Sequence, residues 1–178
     1  MKNIVALLIA FFLAAPMAGA ADDGAGVSAQ TLLKRIAKEG GRQVLWQLWK
    51  NDADFERVAS GIESGDPSWL KVAVALRAFS DAGASESLNY AVALALPRAT
   101  NRVLALVGHG FSVADICTSP FIEPDPGVAQ AYERQALAAL SKVEDPALKT
   151  IAAECALRVR ISQAAEPAQQ AMPTPSTR

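Results

Sequence analysis

The chain has 178 residues, with 17 basic and 18 acidic side chains and a formal net charge of −1. So even a balance gives no electrostatic reason to expect nucleic acid or an anionic membrane surface as a partner. One histidine and two distant cysteines cannot make a zinc cage, and the expectation is no metal and no cofactor.

The chain opens MKNIVALLIAFFLAAPMAGA. Lys2 is a short positive start, Ile4 to Ala15 is apolar, and Ala18-Gly19-Ala20 is a small-x-small cleavage signal, the order of a secretory signal peptide. The apolar run is shorter than the ~20 residues that a spanning helix needs, and Pro16 with the small residues after it favours cleavage. Residues 1–20 are therefore read as a signal peptide, and the protein as periplasmic or secreted, with no membrane anchor once the signal is removed. The remainder is long enough for one domain with a core.

Ser28 is a candidate N-cap for a helix through Leu32, Leu33 and Ile36 that Gly40-Gly41 ends. Val44, Leu45, Leu48 and Trp49 share one face of a second helix. Asn51-Asp52 breaks it, and Phe55, Val58, Ala59 and Ile62 follow the helical period to Gly65. Asp66-Pro67 pairs an N-cap carboxylate with proline at the first helical position, ahead of the stripe Trp69, Val72, Ala73, Leu76 and Phe79. Leu88, Ala91, Val92 and Ala95 form the next stripe, Pro97 stops that helix, and Val103 to Val107 fill another before Gly108.

Residues 108–127, GHGFSVADICTSPFIEPDPG, are rich in Gly and Pro and hold at most one short helical turn, near Val113 to Cys117. Asp125-Pro126 and Asp145-Pro146 each open a further helix. From residue 164 the sequence loses its apolar period. Residues 21–163 are thus read as a single α-helical domain and 164–178 as a disordered tail. No segment alternates as a strand with hairpin turns. The expected fold is all-α: seven or eight short helices in an irregular helical bundle or a short α-solenoid, with one disulfide. In an oxidising compartment the single pair Cys117 and Cys155 is most simply that disulfide, the alternative being two buried free thiols.

Three segments echo one another: QVLWQL from Gln43, KVAVAL from Lys71 and RVLALV from Arg102, each with a polar or basic residue before a valine. Each follows another helix, as a helix-turn-helix repeat requires. Over residues 41–108 the pattern resembles a HEAT-type α-solenoid, a resemblance that implies a scaffold binding through a concave face.

The candidate sites are few. Trp46 lies off the main face of its helix and is read either as a partner-facing anchor or as buried, whereas Trp49 and Trp69 lie on apolar stripes and are expected in the core. Phe121, Ile122 and Glu123 lie in a loop pinned by the disulfide, and preorganisation of that kind lowers the entropic cost of binding; the other reading folds Phe121 and Ile122 under the loop as a lid. His109, between two glycines, is read as an exposed loop residue or a general base. Glu86, in SESLNY, resembles the Glu-Ser pair of lytic transglycosylases, but that family's glycine-rich signature does not follow, and an acid in a first helical turn is favoured by the macrodipole alone. Asp52, Asp54 and Glu56 mimic the start of a calcium loop, yet Arg57 stands where that loop needs glycine. The sequence therefore points to an exported, non-catalytic protein that binds another protein, such as an immunity protein or an envelope assembly factor. The alternatives are a cell-wall-active enzyme using Glu86 or His109, or a carrier of a small apolar ligand.

Overall fold

The computed structural model describes residues 27–170, with side chains described to residue 160. The expected signal peptide and residues 171–178 lie outside the described residues. Among those described there are nine helices and no strands: α1 Ala29–Glu39, α2 Gly41–Trp49, α3 Asp52–Glu63, α4 Pro67–Arg77, α5 Ala82–Ala95, α6 Thr100–Leu104, α7 Val113–Ile116, α8 Val128–Leu140 and α9 Lys149–Gln170. The fold is all-α, with one more helix than the upper expectation because the short turn near Val113 is the four-residue α7. α9 continues past residue 163 to Gln170.

Local sequence sets most helix starts. Ser28, Asn51, Asp66 and Asp81 each accept a hydrogen bond from a backbone N–H in the first turn of the helix that follows, satisfying donors that have no helical partner. Asp66 takes two, from Ser68 and Trp69, with Pro67 at the first helical position. Of the other two Asp-Pro pairs, Asp125 does not cap α8, whereas Asp145 Oδ1 accepts from Ala147 N–H at 2.9 Å. Gly127 adopts a left-handed φ of 90°, so the turn from Asp125 ends there and α8 starts at Val128. At Asp145 a single turn, closed by Leu148 and Lys149 N–H on the Asp145 carbonyl at 3.0 and 3.1 Å, precedes α9.

α1 packs against α2 and α4, α3 against α4 and α5, α5 also against α7, and α8 against α9, which reaches α7. Leu32, Ile62, Leu76, Leu88, Leu96 and Ile116 are among the largest fully buried side chains; each contributes roughly 1.5–3 kcal/mol through burial. The three valines of the sequence echo, Val44, Val72 and Val103, are all fully buried.

Two links hold the C-terminal helices onto this core. Cys117, the C-cap of α7, is bonded to Cys155 on α9, with 5.0 Å between their Cα atoms. The second link starts at Pro97, whose ring nitrogen cannot donate to the carbonyl of Ala93 one turn back. That carbonyl instead accepts from Leu96 N–H at 2.9 Å and from the buried Tyr132 hydroxyl of α8 at 2.8 Å. Burial, and secondarily the charge of Glu133, push the Tyr132 phenol well above its ordinary pKa.

A half-buried polar cluster joins α4, α5 and α7. Arg77 Nη1 donates to Ser85 Oγ at 3.0 Å, and Asn89 Nδ2 to Asp115 Oδ1 at 3.0 Å. Ser112 and Asp115 form a reciprocal capping box at the start of α7. Partial burial pushes the Asp115 carboxyl up, but the hydrogen bonds from Ser112, the nearby Arg77 charge and the Asn89 amide outweigh it and hold its pKa below the ordinary value. A depressed native pKa means stabilisation that is complete above the unfolded pKa of about 3.9 and is lost as pH falls through and below it. Asp115→Ala should cost about 1–3 kcal/mol at neutral pH. The stability gap to wild type, measured by urea unfolding, should narrow as pH drops below about 4; a gap that stays constant would remove the ionised carboxylate as its source.

Candidate functional site

The α2 sequence GRQVLWQLW turns Val44, Leu45 and Leu48 inward and leaves Trp46 53% and Trp49 44% exposed. Three residues apart, the two indoles are neighbours on one side of the helix. The Trp46 ring is capped by the Lys50 ammonium, 3.8 Å from its centroid. Trp49 meets Phe55 of α3 edge to face at 5.0 Å. Phe79, just past α4, is 41% exposed and lies over Gly41 at the start of α2, where there is no room for a Cβ.

Of the two readings of Trp46, burial is ruled out by its exposure. The core placement expected of Trp49 does not hold: it is the last residue of α2, and Phe55 of α3 and Gly83 of α5 cover only part of its indole. Phe79 likewise fails as a core residue, standing beyond the last turn of α4. Trp69 is half-buried, its indole filling the space above Gly61 of α3.

Next to this aromatic edge is a hollow of about 300 Å³ lined by Trp49, Phe55, Asp52, Glu56 and Ser87. Two carboxylates beside two aromatic rings suit a cationic side chain, which gains both ion pairing and contact with a ring face.

The loop residues divide. Phe121 packs edge to face on Tyr132, with 5.5 Å between ring centroids, and serves as part of a lid over α8. Ile122 is 74% exposed, and Glu123 beside it is exposed with a φ of 46°, in the left-handed region. This loop is anchored on α8 and α9, whereas α2 packs on α1, α3 and α4. Trp46 and Ile122 therefore belong to separate patches.

Glu86 is exposed and accepts a hydrogen bond from Tyr90 Oη at 2.7 Å, which, with burial, raises the tyrosine pKa. His109 is exposed after α6 and lines a groove against α4 together with Lys71 and Arg102. That convergence escaped the residue-by-residue reading. The signal for it was the internal echo, which sets Lys71 and Arg102 at the same register, each just before its buried valine. Among the described residues no helix is long and apolar enough to cross a membrane, and no group of three or more His, Cys, Asp or Glu residues could hold a metal ion. Compared with protein-family models, curated proteins and solved structures, the chain matches none.

Proposed function

We propose that this is an exported helical protein that binds another protein through the aromatic edge of α2. The carrying observation is the pair Trp46 and Trp49, both exposed on one side of a helix whose opposite side is core. Tryptophan supplies a large contact area at small cost in rotamer entropy, and exposed pairs of this kind are typical binding anchors. The acidic hollow beside Trp49 calls for a lysine or arginine on the partner. The disulfide and the signal-like first twenty residues support export, and an immunity protein against a basic secreted toxin is the sharpest form of the reading.

A photoreactive residue at position 46 in the native host identifies the partner, and titration of that purified partner then measures affinity. Trp46→Ala is expected to weaken binding by about 2 kcal/mol, roughly thirtyfold, with the melting temperature unchanged. Undiminished affinity of both Trp46→Ala and Trp49→Ala variants would remove this edge from the interface. For the immunity form, growth of a deletion strain unaffected by the toxin would overturn it.

A further inference from the structure

The groove between α4 and the α6 segment has a volume of about 430 Å³, within the ~300–1,000 Å³ usual for small-molecule sites. Leu70 and Val74 of α4 and Ala105 and Leu106 after α6 make it apolar, and its polar residues are only Lys71, Arg102 and His109. A second, larger basin of about 740 Å³ has Arg98, Arg102 and Lys142 as its charged residues. No acidic side chain lines either one. Arg102 lines both.

The cations here lack counter-charges. Among the described residues Lys71, Arg102 and Lys142 have no ion-pair partner, and Arg98 reaches only the backbone carbonyls of Glu63 and Leu94, at 3.5 Å. An uncompensated cluster of cations attracts an anion, and an apolar trough favours a hydrocarbon chain.

We propose that this composite site binds a single-chain anionic phospholipid, its acyl chain in the α4–α6 groove and its phosphate head group in the basin at Arg98, Arg102 and Lys142. The basin is wider than a bare carboxylate needs, which favours the larger phosphate head over a fatty acid. The groove offers the longer apolar wall, Leu70, Val74, Ala105 and Leu106, and the basin holds Arg98, Arg102 and Lys142, which matches the tail and the head of a lipid. The site is independent of the α2 edge.

The test is calorimetric titration of the full chain with lysophosphatidylglycerol below its micelle concentration. Binding should weaken about fourfold for each methylene removed from the chain. Lysophosphatidylcholine of equal chain length, with no net charge, should bind at least about tenfold more weakly. Arg102→Gln should weaken the anionic lipid by about tenfold and leave the zwitterionic one little changed. Ala105→Trp, at an exposed position, should weaken both by filling the groove while the helical circular dichroism stays the same. The proposal is overturned if the monomeric lipid does not bind, if the two lipids bind equally, or if Ala105→Trp has no effect. Inorganic phosphate binding as tightly would leave only an anion site. Binding to phosphatidylglycerol vesicles but not to the monomer would assign surface adsorption, and an acidic amphipathic peptide binding where the lipid fails would assign a protein partner.

Discussion

Replacing Cys117 and Cys155 together by alanine is expected to lower the unfolding free energy by about 4 kcal/mol and the melting temperature by about 10 °C. The two residues are 38 positions apart, and a crosslink over a loop of that length removes many conformations from the unfolded chain while leaving the native contacts in place. Both cysteines are fully buried, so alanine keeps the site apolar and adds only a small void. The comparison is made by thermal and urea unfolding of the oxidised wild type and the double variant. A loss below about 1 kcal/mol would mean that the unfolded chain is already constrained between α7 and α9.

Leu88→Ala is expected to cost about 2–5 kcal/mol, the range for a buried leucine whose surroundings cannot collapse into the space it leaves. Leu88 lies on α5, which packs on α3, α4, α6 and α7, and it is fully buried. Its own helix is rich in alanine, with Ala84, Ala91, Ala93 and Ala95 all buried. Short side chains hold the neighbouring backbones close, so little can swing inward to fill the void. The urea midpoint should fall while the slope of the transition stays the same. A loss under about 1 kcal/mol would show that the helices close around the truncated side chain. Trp46→Ala provides the contrast, because removing an exposed indole leaves the core untouched.

The helical stripes were legible because the period of apolar residues alone decides which side of a helix meets the core. Val72, Ala73 and Leu76, like Leu88, Ala91, Val92 and Ala95, are buried as their spacing implies. The same logic fails at helix ends: Trp49 and Phe79 lie on the correct stripe, but periodicity carries no information about how far the neighbouring helix extends. The Asp-Pro pairs show a related limit. All three look alike in sequence, yet Asp125 does not cap its helix, since Gly127 reverses the backbone after it, and Asp145 caps a turn that leads into α9 rather than the first turn of α9 itself. The disulfide was legible from the pairing of a signal-like start with two cysteines. The position of Trp46 off the apolar face left open whether it is exposed or buried, and it is exposed. The meeting of Lys71, Arg102 and His109 was not legible, because they come from separate segments and share a surface only through the packing of α4 beside α6.

Pro97 carries a consequence beyond ending α5. By withholding its own donor it leaves the Ala93 carbonyl in need of a second partner, and the Tyr132 hydroxyl provides it. The unmet acceptor thus works as an address. A helix sliding or rotating along α5 would find many apolar surfaces of similar worth, but only one placement of α8 delivers a phenol to that oxygen. A residue whose local effect is simply to stop a helix therefore selects, at long range, how the last two helices are seated.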